Sequence, residues 1–327
     1  MYAYIFRKLL YNVPVYLGII LFVMVALRVN DPVMAYLGKS ASPESIAAMR
    51  SEMGLDRPLI SQYGTFLGRV VTLDFSERSW EQKRPVGDIL GRAVWPSLAI
   101  TVPALILSTL TAISIALLSA YWRGTLTDRT LMFAAVLGMS VSLLVYVVLG
   151  QYFGAYWLPE KLGIPDGSPL RFAISGYEPV VAEGLRPDNW LRYCLLPVII
   201  TVVLTIGYDT RFYRAVMVEE CNRDYIVTAR AKGASKPKIM FVHMLKNAMI
   251  PIITHVMITL PFLITGSIVM ETYFRIPGMG QTLITAINSK DFPVIQAFTA
   301  VFAAIFILTN ILTDVLYALV DPRVRLS

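Results

Sequence analysis

The sequence predicts an all-α integral membrane protein: six transmembrane helices, a long outer segment after the first, and a cytoplasmic helical connection between the fourth and the fifth. Three observations lead there. Of the 327 residues, 56% are hydrophobic and only 16% charged, with a mean hydropathy of +0.61, far from the averages of soluble domains. Six stretches are long and apolar enough to cross a hydrocarbon core of about 30 Å, which takes roughly 20 helical residues. Lysine and arginine gather in the short connections that such a topology puts on one side.

The predicted spans run from Leu9 to Leu27, Leu98 to Tyr121, Leu131 to Phe153, Trp190 to Tyr208, Met249 to Met270 and Val294 to Val320. The first is too long for the apolar core of a signal peptide, and no small-residue cleavage pattern follows Leu27, so it is expected to remain as an anchor. Arg7 and Lys8 precede it, Arg123 and Arg129 bracket the second connection, and Arg323 and Arg325 follow the last span. Both termini are therefore expected in the cytoplasm. The chain divides into a tail with the first helix (1–29), an outer helical segment (30–97) and a five-helix core (98–327) that contains the cytoplasmic connection 209–248. The formal charge of +7 reads as a topology signal, with no aromatic-interleaved basic patch to suit nucleic acid. Cys194 and Cys221 fall at different depths, so no disulfide framework is expected.

In the outer segment, Ser42 can cap a helix with Pro43 in its first turn and Gly54 as its stop. Pro58 opens a second helical pattern, LISQYGTFLGRVVTL; both pieces are too short to span and are expected over the outer mouth. The stretch 154–189 is rich in Pro and Gly and reads as ordered loop. Prolines 14, 103, 197, 251 and 261 lie inside spans, where neighbouring helices can satisfy the freed carbonyls; a plain kink and a functional hinge are both open.

No Pro or Gly interrupts the chain between Tyr208 and Gly233, so the fourth span is expected to continue as helix past the membrane, with a bend near Asn222 to Asp224. Gly233 follows Arg230 and Lys232, which suits a helix closed by a left-handed glycine. Ser235 can cap a new helix with Pro237 in its first turn. On the first short helix Tyr225, Ile226 and Ala229 share a face that could bury against another protein as a docking knob; an ordinary solvated loop is the alternative. KIMFVHMLKNA then runs into the fifth span along the cytoplasmic end of the bundle.

Three polar residues within spans are candidates for a translocation path. His255 either hydrogen-bonds a neighbouring helix or lines a cavity that contacts solute. Asn310 and Asp314, one turn apart, either bond structurally, as to a basic residue, or belong to a proton relay for which no further acidic chain is visible. Glu271 reads as interfacial. Gly38-Lys39-Ser40 is not a phosphate loop, because Val33 stands where that motif needs glycine. No nucleotide loop, metal-ligand spacing or nucleophile–base pair appears, so no catalytic residue, cofactor or metal is expected. A free-standing secondary transporter or channel would call for an ion relay or filter that is not found.

The stretch DYIVTARAKGAS, followed by HMLKNAMIP, resembles the cytoplasmic loop of bacterial ATP-binding-cassette importer permeases, in their dipeptide, oligopeptide and nickel branch. The general loop pattern is Glu-Ala-Ala, three residues, Gly; here Val227 and Thr228 replace the first two positions while Ala229 and Gly233 match. YIFRKLLYNVPVYLGI, EMGLDRPLISQY, ETYFRIPGMGQTLITAI, KDFPVIQA and TNILTDVLYALVDPRVR are similar to the same branch, covering nearly the whole chain. The resemblance implies a non-catalytic inner-membrane subunit that pairs with a second, similar permease and receives solute from an external binding protein. It also implies that the loop around Asp224, Tyr225, Ile226, Thr228, Ala229, Arg230, Gly233 and Ser235 docks on one or two cytoplasmic ATPases. Dipeptides, oligopeptides, nickel chelates, oligosaccharides and antimicrobial peptides all remain open as solutes.

Overall fold

The computed structural model describes residues 2–29, 32–37, 42–179, 186–264 and 268–320. Gly38-Lys39-Ser40, Arg323 and Arg325 lie outside them. Helices come in the order α1 (Tyr2–Leu27), α2 (Pro32–Leu37), α3 (Pro43–Glu52), α4 (Leu59–Val71), α5 (Val86–Tyr121), α6 (Leu126–Ser140) and α7 (Leu143–Gly150). A π-helical turn over Gln151–Trp157 leads into α8 (Leu158–Lys161), followed by α9 (Pro187–Tyr193), α10 (Leu195–Glu220), α11 (Asp224–Ala231) and α12 (Lys236–Lys238). A second π-helical turn, Ile239–Met244, joins α12 to α13 (Leu245–Ile264); α14 (Ile268–Phe274), α15 (Met279–Asn288) and α16 (Phe292–Val320) complete the chain. Among the described residues no strand is present.

Among the described residues, five helices are long and apolar enough to cross a membrane, Phe6–Leu27, Val86–Tyr121, Leu195–Glu220, Lys236–Pro261 and Phe292–Tyr317, and the bent pair Leu126–Ser140 and Leu143–Lys161, taken as one span, makes six. The predicted third span is corrected. It is not one helix but α6 and α7–α8, bent by 94° at Val141. Val141 is extended (ψ 132°), and the Ser142 hydroxyl accepts from the amide of Val145 to start a new helix there. Tyr146 braces the corner by donating its phenol to the carbonyl of Gly138 at 2.8 Å. Helical structure also reaches Lys161, into a stretch read as loop.

Three boundaries move. α5 begins at Val86, well before Leu98, because Val86, Ile89, Leu90 and Ala93 form a buried face at helical spacing; its 36 residues extend about 54 Å, beyond any hydrocarbon core. α10 runs on past Tyr208 to Glu220 as one uninterrupted helix, so the connection 209–248 begins as a continuation of the fourth span. The helix leading to α13 starts at Lys236, which puts His255 far from its beginning.

The end of the bundle that carries α11 is here called the basic end. There α5, α10, α11 and the π-turn before α13 share a core of Ala112, Ala116, Tyr213, Met217, Ile226 and Met244. A second core near the opposite end joins α5, α7, α10 and α14 through Ile100, Val147, Leu196 and Phe274. The outer pieces behave locally as expected: Ser42 caps α3 by accepting from the Ser45 amide, and Gly54 stops it at φ +66°. Phe66 of α4 packs against Ile20 and Met24 of α1 and Ala300 of α16, and Tyr63 donates to the Leu17 carbonyl at 2.9 Å, so α4 lines the side of the bundle.

Candidate functional site

At the basic end the chain makes a helix–turn–helix that is continuous with two membrane helices. α10 ends at Glu220, three residues turn it, and α11 starts at Asp224. Arg223 holds that turn through Glu219 at 2.7 Å, and Tyr225 donates its phenol to Glu220. Burial, with the Glu220 bond adding to it, pushes the Tyr225 phenol up to about 12. α11 closes as a Schellman motif: the amide of Ala234 donates to the Ala229 carbonyl (3.1 Å) and that of Gly233 to the Arg230 carbonyl (3.0 Å), with Gly233 at φ +78°. Ser235 sits at the cap position of α12, but its hydroxyl makes no capping bond. Pro237 removes one of the first-turn N–H groups such a cap would take, and the Ser235 carbonyl accepts the first helical bond, from the Ile239 amide at 3.0 Å.

One expectation is reversed. The face carrying Tyr225, Ile226 and Ala229 does not point outward for a partner. Ile226 is 1% exposed inside the chain's own core with Met217 and Met244, and Tyr225 and Ala229 pack against the same cluster. Burying a side chain of Ile226's size is worth about 2 kcal/mol, which fixes α11 to its own bundle. The surface that it and the following turn present consists of Asp224, Val227, Thr228, Arg230, Ala231, Lys232, Gly233 and Ser235, a mostly polar strip. Lys236 ties the following turn to α5, with its ammonium 4.0 Å over the Tyr121 ring and donating to the Tyr121 carbonyl at 2.6 Å.

A buried ion pair missed in the sequence braces the same end. Arg214 of α10 grips Asp128 of α6 with two nitrogens (2.8 and 2.7 Å) and donates to Ser119 of α5 at 2.9 Å; Asp128 also accepts from the Gly124 amide at 3.0 Å. Asp128 is 4% exposed. Three helices therefore meet on one carboxylate, and α10 cannot shift there without carrying the α5–α6 elbow.

Of the three candidate path residues, Asn310 and Asp314 meet on Lys8, while His255 lies at a separate site. His255 of α13 bonds Asp209 of α10 (Nε2 to Oδ1, 2.9 Å) and stacks on Phe212 with centroids 4.8 Å apart. The hydrogen bond to a neighbouring helix is thus present, and the pair also edges a cavity of about 40 Å³ with Ser108, Thr205 and Thr259, room for roughly two or three waters. Asp209 escaped notice because it was assigned to the connection. Asp314, on α16, pairs with Lys8 of α1, whose ammonium also donates to the Asn310 carbonyl at 3.2 Å. Pairing with a basic residue, one of the two readings open for Asp314, is therefore present.

Glu271 is buried inside the protein and hydrogen-bonded there. It is 1% exposed and accepts from Ser97 of α5 (2.6 Å) and from the Gln281 amide (2.9 Å), while Ser97 accepts from the Met279 amide at 2.8 Å. A β-carbon added at Gly278 would fall 2.3 Å from the Glu271 carboxyl carbon, so the Gly-Met-Gly turn has no side chain there because a buried carboxylate occupies the space.

The family described as binding-protein-dependent transport system inner membrane component matches residues 112–326, and the N-terminal membrane component of such systems matches residues 1–86. Relatives align end to end. A probable peptide ABC transporter permease protein of Sinorhizobium fredii is 32% identical over 328 residues, 99% of each chain. A Brucella abortus protein named as a peptide transport system permease is 32% identical over 328 residues, again 99% of each chain. The glutathione transport system permease protein of Salmonella typhi is 32% identical over 330 residues, 99% of each chain.

Proposed function

The chain belongs to the family of inner membrane components of binding-protein-dependent transport systems, and from that premise we propose how it works: as the permease subunit of an ATP-driven importer for peptides or similar small solutes, coupled through α11 to cytoplasmic ATPases. The observation that carries this reading is the covalent continuity of α10, α11 and α13. A partner that displaced α11 would move two membrane helices at once, and the Arg214–Asp128–Ser119 contacts would pass the motion to α5 and α6. The polar strip of Asp224, Thr228, Arg230 and Gly233 is the surface offered to the ATPase, with Ile226 as the internal anchor. Hydrolysis belongs to that partner. A second permease supplies the other half of the pathway, an external binding protein delivers solute, and the basic end with both termini faces the cytoplasm.

Mild-detergent purification of the tagged chain, with mass spectrometry of what accompanies it, tests the proposal. A second permease and one or two ATPases are expected, and Thr228→Trp on the outward strip should reduce recovery of the ATPases while the permease pair stays intact. Recovery of this chain alone, in a preparation that moves solute without ATP, would overturn the reading.

A further inference from the structure

At the end opposite α11, the part of α5 that outreaches the bilayer forms one wall of a cavity of about 790 Å³, within the range of small-ligand pockets, about 300 to 1,000 Å³. Asp88, Arg92 and Trp95, at helical spacing on the exposed face of α5, line it. Gln82 and Arg84 enter from the loop before α5, and Tyr177 closes the far side. That loop is pinned: buried Asp291 accepts from the Ser79 hydroxyl and from the amides of Trp80 (3.1 Å) and Glu81 (3.4 Å), and the Ser79 amide donates to the Arg84 carbonyl at 2.9 Å. Among the described residues, Arg84, Asp88 and Arg92 form no salt bridge. Two guanidinium groups and one carboxylate thus share a roomy cavity with their charges uncommitted.

We propose that this vestibule is a low-affinity station for zwitterionic peptides, in which Arg84 and Arg92 hold the terminal carboxylate, Asp88 the terminal ammonium, and Trp95 packs on the side chains between them. Guanidinium is suited to the task because its planar donors match a carboxylate. The excess of cation over anion makes the carboxylate the stronger anchor. The inference rests on the reading of the chain as a peptide permease with this end outside.

The test uses the purified importer without its external binding protein, so that discrimination belongs to the membrane part alone. Saturation-transfer NMR with trialanine and with trialanine amide reads binding. Trialanine is expected to bind, its amide at least fivefold more weakly, and an Arg84→Gln/Arg92→Gln variant should bind both equally poorly while Arg92→Lys recovers part of the preference. Basal ATP hydrolysis should be unchanged, which guards against misfolding. Equal binding of peptide and amide, unaltered binding by the double variant, or no binding to the intact complex would each overturn the station. ATP-driven uptake of trialanine into liposomes, with the binding protein restored, separates the two levels: if uptake persists where binding fails, only the vestibule is lost, and if no peptide enters, the importer reading falls with it.

Discussion

Gly233 and Gly278 occupy turns at opposite ends of the bundle and lack a side chain for different reasons. Gly233 sits at φ +78° with nothing within 4 Å of an added β-carbon, so substitution there is a matter of backbone conformation alone, about 1 kcal/mol for alanine and more for a β-branched residue. Gly278 has an ordinary φ of −86°, but its missing β-carbon makes room for the Glu271 carboxylate. Gly278→Ala should therefore lower the unfolding temperature of the purified complex more than Gly233→Ala, because it displaces a buried hydrogen-bonded acid, at about 1 to 3 kcal/mol for each bond lost. Glu271→Ala should absorb most of the Gly278→Ala penalty in a double-variant cycle, and simple additivity would refute the account. Gly233→Val, by contrast, should leave membrane insertion intact, with its strain confined to the turn, while weakening solute-stimulated ATP turnover; normal stimulation would show that the turn plays no part in coupling. The left-handed glycine was legible because Arg230 and Lys232 mark a helix end in sequence. The Glu271 contact was not, since it joins residues on α14, α15 and α5 that no local pattern relates.

At the scale of elements, the uninterrupted run after Tyr208 announced a helix leaving the membrane, and the turn at 221–223 fell where the bend was expected. The orientation of α11 was hidden, because an amphipathic helix declares that it has an apolar face without saying whose surface covers it. Here Ile226 is covered by Met217 and Met244 of the same chain. Ile226→Asp should consequently abolish stable expression, as a charge without partner would enter a closed core, whereas Val227→Asp, on the exposed side, should leave folding intact and act on ATPase recovery alone. The bend in the third span was equally invisible, since Val141-Ser142 lies within a run whose hydropathy is high on both sides. Arg214→Gln would leave Asp128 buried without its cation, a loss of about 3 kcal/mol, and should loosen α10 from the α5–α6 elbow. Reduced thermal stability together with weakened coupling is expected, and Arg214→Lys, which keeps charge but not the two-pronged grip, should fall between.

For the whole molecule, coupling through α11 and solute entry at the outer vestibule both depend on which end of the bundle faces the cytoplasm. The distribution of cations is the physical basis for an answer: Lys8, Arg123, Arg129, Arg211, Arg214, Arg223, Arg230, Lys232, Lys236 and Lys238 lie in or beside the short connections at one end, where retention of positive charge sets orientation. The outer segment carries arginines too, but a long segment translocates largely regardless of its charge. Accessibility to a membrane-impermeant maleimide decides between the two orientations. Cys194 is buried and Cys221 is half-buried, so a Cys221→Ser background is nearly silent, and single cysteines can be placed at exposed Glu81 and exposed Thr228. Glu81→Cys should label in intact spheroplasts, and Thr228→Cys only after the membrane is permeabilised. The opposite pattern would turn the bundle over, put α11 beyond the reach of any cytoplasmic ATPase and place the Arg84–Arg92 cavity where incoming solute never meets it first. Labelling at both sites in intact cells would mean that charge does not hold this chain in one topology, which the short, cation-rich connections make physically unfavourable.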